Sequence, residues 1–115
     1  MIERKYSNKV LSKIVTTETT AYLAGQVADD TTQDVAGQTK QILAKIDTLL
    51  AEAGTDKTKM LSVTIWLANI DDKDAMNGVW FDWIKPEDTP ARACVESRLA
   101  RPDMLVEMKV EAARL

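Results

Sequence analysis

The chain has 115 residues, 45% of them hydrophobic, with 15 Lys plus Arg against 18 Asp plus Glu and a formal net charge of −3. Read as one domain over residues 1–115, it is too short for two independent cores, yet apolar enough to bury one and avoid disorder. The acidic balance and the lack of a basic run argue against nucleic-acid binding, which depends on cationic surface to neutralise phosphates.

In chain order, Met1-Ile2-Glu3-Arg4-Lys5 is not followed by an apolar stretch, so no secretion signal is expected. Residues 2–6 and 13–17 are candidates for an N-terminal hairpin. Thr20 to Val27 reads as a strand closed by the turn-formers Asp29, Asp30 and Thr31. A helix is predicted from about Thr32 to Ala53, because Ile42, Leu43, Ile46, Leu49, Leu50 and Ala53 form one apolar stripe; Gly54 then stops it. Leu61, Val63, Ile65 and Leu67 alternate with Ser62, Thr64, Trp66 and Ala68, the period-two pattern of a strand. Asp71 or Asp72 can cap a second helix with Met76, Val79, Trp80 and Trp83 on its buried face, and all three tryptophans read as core.

After the Pro86–Pro90 loop, two more strands join around Arg101-Pro102-Asp103. Ala91, Ala93, Val95, Ser97 and Leu99 share one face of the first, and Arg92, Cys94, Glu96 and Arg98 the other. In the second, Met104, Val106, Met108, Val110 and Ala112 oppose Leu105, Glu107, Lys109 and Glu111. The fold expected is α/β (α+β): one mixed sheet, order β-β-α-β-α-β-β, with both helices on one face. Arg92, Cys94 and Glu107 are then expected on the face turned away from the helices. No window approaches the roughly 18–20 apolar residues of a bilayer span, so no membrane partner is expected. A lone cysteine fits a reducing compartment, with the cytoplasm as the default location.

Histidine is absent, which removes Ser-His-Asp and Cys-His catalysis and every histidine-based zinc site; one cysteine removes thiolate metal sites. Phosphate- and dinucleotide-binding glycine motifs are missing too, so no cofactor is expected. Chemistry is left to carboxylates, Arg, Tyr, amides, backbone and water. Arg92 reads either as a surface strand residue or as the anchor of a small carboxylate, whose geometry a guanidinium fork matches. Glu107 is either a solvated residue or one that positions water and shuttles protons; burial would raise its pKa and a nearby arginine would lower it. Cys94 beside Arg92 suits a small packed side chain better than a nucleophile, since no histidine base exists. Gly25 reads as a bulge or as a place where backbone approaches a ligand. Asn77 flanks the apolar stripe of its helix, and Tyr6 alone points to nothing.

The run Pro90-Ala91-Arg92-Ala93-Cys94-Val95-Glu96-Ser97-Arg98-Leu99-Ala100, followed by Val106-Glu107-Met108, closely resembles the C-terminal signature of the reactive intermediate deaminase family (RidA, YjgF-type). Gly25-Gln26-Val27, the stretch from Gln38 to Gly54, Thr64 to Asp71 and Ala75-Met76-Asn77 match as well, covering about residues 20–113. The resemblance implies a chorismate-mutase-like fold, a homotrimer with intersubunit clefts, and cofactor-independent hydrolysis of enamines and imines of the 2-aminoacrylate type to 2-oxo acid and ammonia. It implies Arg92 as carboxylate anchor, Glu107 as water- or proton-handling group, and Tyr6, Gly25, Asn77 and Cys94 beside the substrate. Departures are the Arg4-Lys5 pair where the family has Gly-Pro, Ala24 where it usually has serine, and a tryptophan pair, Trp80 and Trp83, typical of a little-characterised bacterial branch. The alternative functions are a non-catalytic binder or sensor of small carboxylates, a ribonuclease or translation inhibitor, which acidity and missing histidine disfavour, and a purely structural trimer.

Overall fold

In the computed structural model, which describes residues 1–114, the elements run β1 (Glu3–Ser7), β2 (Ser12–Thr16), β3 (Thr20–Leu23), α1 (Val35–Glu52), β4 (Met60–Leu67), α2 (Lys73–Trp83), β5 (Ala91–Glu96) and β6 (Val106–Ala113). The N-terminal hairpin forms, so three strands precede the first helix. The six strands make one mixed sheet in the order β1-β2-β3-β6-β4-β5, with only β4 and β5 parallel. The last two strands are therefore not neighbours, because β4 lies between them.

Alternation decides which face is covered. Val63, Ile65 and Leu67 of β4 and Val106, Met108 and Val110 of β6 are buried with Ile42, Ile46 and Leu50 of α1 and Met76 and Trp80 of α2 in one core. The residues between them stay partly exposed on the opposite face. Both helices thus pack on one side, as the sequence predicts.

Helix α1 starts three residues later than its apolar stripe suggests. Asp30 holds Thr32 in a turn, accepting its N–H at 3.1 Å and its hydroxyl at 2.6 Å. Asp34 then caps the helix by accepting the Gly37 N–H at 2.9 Å. Gly54 ends it at φ +80°, the left-handed conformation glycine adopts without a Cβ penalty. At the start of α2 neither aspartate makes the expected cap: Asn69 accepts the Asp71 N–H at 2.9 Å in a preceding 3₁₀ turn, and Asp72 makes no side-chain cap bond.

Strand β5 ends at Glu96 rather than Leu99, and residues 97–105 cross the end of β4 as a loop. The Ser97 N–H donates to the Leu67 carbonyl at 2.9 Å and the Ala68 N–H to the Leu105 carbonyl at 3.0 Å. Gln38, fully buried on α1, clamps this loop: its amide donates to the Asp103 carbonyl at 3.0 Å and accepts the Leu105 N–H at 3.0 Å. The Thr31 hydroxyl bonds Asp103 at 2.6 Å and holds that carboxyl below the ordinary carboxylate range.

Candidate functional site

Glu107 pairs across the sheet with Trp66 and faces away from the helices, as expected. Its neighbour there is Gly25. β3 stops at Leu23 and the chain rejoins the sheet at Gln26, whose N–H donates to the Met108 carbonyl at 2.8 Å and whose carbonyl accepts the Met108 N–H at 3.1 Å. Gly25 is thereby laid against Glu107 so closely that a Cβ on it would collide with the carboxylate and lie 3.2 Å from its Cδ. Of the two readings of Gly25, close backbone approach is the one observed, and what it approaches is the Glu107 side chain.

Arg92 and Cys94 correct the face assignment. They pair in parallel register with Val63 and Ile65, so they point to the helix side. Cys94 packs on the edge of the core, and the Arg92 guanidinium carbon lies 5.0 Å from the centroid of the Trp80 ring on α2. The polarity pattern misled because β5 is an edge strand that overhangs the helices. Its helix-side residues are only partly covered, so a cation is tolerated there, and the small residues Ala91 and Ala93 take the other face.

Asn77 precedes Trp80 by one turn of α2; its Oδ1 is buried with no hydrogen-bond partner among the described residues. Trp66 and Trp83 are half-buried rather than core, and only Trp80 is buried as expected, at 4% exposure. Tyr6 sits on the opposite edge strand, β1, five strand spacings or roughly 24 Å from β5. Its φ of +55° is strained for an aromatic residue, and the Glu52 carboxylate at the end of α1 raises its phenol pKa.

The candidate residues of one chain therefore fall into two separate groups: Gly25 with Glu107 on one sheet face, and Arg92, Cys94, Trp80 and Asn77 on the other. Arg92 and Glu107 are two strands and three residues apart in register, about 14 Å between Cα atoms, with side chains diverging. The contact that sequence reasoning missed is Trp80 with Arg92, which recognition of the overhanging edge strand would have exposed. Among the described residues no cluster of three or more His, Cys, Asp or Glu could hold a metal ion, and no helix is long and apolar enough to cross a membrane.

Comparison with known proteins agrees with this architecture. The family described as Endoribonuclease L-PSP matches residues 1–114. A RutC family protein of Haemophilus ducreyi is 45% identical over 93 residues, covering 81% of this chain and 80% of its own. The RutC family protein YoaB of Escherichia coli is 36% identical over 102 residues, covering 89% of each chain. Among solved structures, a protein of Pseudomonas aeruginosa is 42% identical with a TM-score of 0.96 over the whole of both chains. A YjgF family member from Neisseria meningitidis is 40% identical, also at 0.96, over 100% of this chain and 96% of its own. With the family matched over residues 1–114 and two solved relatives superposing at a TM-score of 0.96, the chain belongs to the RutC/YjgF (Rid) family.

Proposed function

We propose that this protein hydrolyses small imines and enamines bearing a carboxylate, of the 2-aminoacrylate type, to a 2-oxo acid and ammonia, in clefts between the subunits of a homotrimer. The observation that carries the reading is this separation into two groups. An arginine with a free fork and a glutamate laid against a glycine are the groups such a reaction needs, and one subunit cannot bring them together. A neighbouring copy supplies the missing half, which explains how residues on opposite sheet faces serve one substrate.

The chemistry asked of these residues is modest. Arg92 binds the substrate carboxylate through charge-assisted hydrogen bonds and fixes the imine carbon in place. An enamine first takes a proton from solvent at its terminal carbon to become the imine protonated at nitrogen. Glu107 then accepts a proton from water as the water oxygen bonds to the imine carbon, giving a carbinolamine. Glu107 returns that proton to the carbinolamine nitrogen. The hydroxyl then gives its own proton to Glu107 and closes to the carbonyl as the C–N bond breaks. The protonated imine plus water thus leave as 2-oxo acid, ammonia and the proton first taken from solvent. Gly25 keeps the carboxylate of Glu107 unobstructed, and Asn77 and Cys94 lie on the Arg92 side of the cleft.

The family name also carries an endoribonuclease reading. It lacks support in a histidine-free chain of net charge −3, where neither an imidazole nor a basic face is available for a phosphodiester. The deciding experiment generates 2-aminoacrylate from serine with a pyridoxal-phosphate lyase and follows its decay. Acceleration by the wild type is expected, with Arg92→Ala weakening substrate binding at least tenfold, since each charge-assisted bond contributes about 1.5–3 kcal/mol. Saturable 2-oxo acid binding without any acceleration would replace the hydrolase with a binder or sensor.

A further inference from the structure

On an exposed edge strand a free arginine samples many rotamers, and ordering it on binding costs affinity. Arg92 is not free in that sense, because its guanidinium lies over the Trp80 ring. We propose that Trp80 is the positioning residue of Arg92: the ring face holds the guanidinium in place and leaves its N–H edge open to the carboxylate of a ligand. This rests on the reading of Arg92 as the anchor and adds the element that pre-organises it.

The choice of partner matters chemically. An acidic neighbour would hold Arg92 by the same N–H fork that the ligand needs, and so compete with it. An aromatic face attracts the cation through its quadrupole while occupying only the plane. None of the ion pairs among the described residues involves Arg92.

Trp80 is in turn a fixed support. It is 4% exposed, and its ring packs at 51° against Trp83 with centroids 5.6 Å apart. Trp83 donates its indole N–H to Asp47 of α1 at 3.0 Å. The Lys57 ammonium lies 5.1 Å from the Trp83 ring centroid and donates to the Trp83 carbonyl at 2.7 Å. A continuous series, Asp47–Trp83–Trp80–Arg92, thus ties the exposed arginine to the first helix. Trp83, itself held by Asp47 and Lys57, braces the Trp80 ring.

The test titrates pyruvate into the full-length protein by calorimetry, alongside 2-aminoacrylate kinetics, for Trp80→Phe, Trp80→Leu, Arg92→Ala and the double variant Trp80→Leu/Arg92→Ala. Trp80→Phe keeps a ring and should bind within about twofold of wild type. Trp80→Leu should bind about three- to thirtyfold more weakly, with KM rising more than kcat falls, and should add nothing in the Arg92→Ala background. A Trp80→Leu variant that binds like wild type while Arg92→Ala is weakened overturns the positioning role and leaves the anchor standing. The same holds for an undiminished loss in the Arg92→Ala background, which marks a general packing effect. Pyruvate binding unchanged in Arg92→Ala removes the anchor itself, and the positioning role with it. Should Trp80→Leu not fold, NMR of the wild type decides: Arg92 Cδ protons shifted upfield by ring current support the contact, and shifts typical of an exposed arginine overturn it.

Discussion

At Gly25 a single methyl group decides whether the Glu107 carboxylate keeps its place. The colliding atoms belong to the end of a flexible side chain, and Gly25 has no positive φ, so alanine fits once Glu107 moves. Gly25→Ala is therefore expected to change stability by less than about 1 kcal/mol. It should lower 2-aminoacrylate turnover by roughly ten- to a hundredfold, because displacing a proton-handling group by an ångström is costly in rate. Thermal melts and initial rates on the same preparation check both halves; a large loss of stability with turnover intact would contradict the role given to Glu107. The face that Glu107 takes was legible in the sequence, since Val106 and Met108 are apolar on either side and a central strand buries one face fully. The face that Arg92 takes was not legible. Edge strands break the link between polarity and solvent face, and only the register with Val63 reveals it.

Among the elements, the long stripe of α1 and the alternation of β4 and β6 were readable because many residues repeat the same periodicity. The helix starts were not, since they are set by single side chains acting over short range: Asp30 and Asp34 before α1, Asn69 before α2. The separation of β5 from β6 was hidden for a different reason. Nothing in the local sequence of the two strands and their connection shows that β4 intervenes. What holds that connection is Gln38, fully buried and bonded to carbonyls and an N–H on both sides of it. Gln38→Leu should leave these groups unsatisfied and cost about 2–4 kcal/mol in urea unfolding, at roughly 1–3 kcal/mol per orphaned group. A loss below 0.5 kcal/mol, on the order of an ordinary surface change, would show that the loop is held by other contacts.

For the whole molecule, the division of the candidate residues between two sheet faces and two sheet edges is the feature that most constrains function. A sheet of six strands cannot fold Arg92 and Glu107 of the same chain onto one small substrate. The proposed hydrolysis therefore requires sites shared between copies, and subunit mixing addresses that directly. Arg92→Ala and Glu107→Gln chains, each expected to be inactive as a homo-oligomer, are unfolded together in equal amounts, refolded and assayed for ammonia release from 2-aminoacrylate. With random assembly about a quarter of the shared sites receive an intact Arg92 from one copy and an intact Glu107 from its neighbour, so roughly a quarter of wild-type activity is predicted. Activity no higher than that of the separate variants, from a mixture shown by native mass spectrometry to contain both chains in one oligomer, would contradict it.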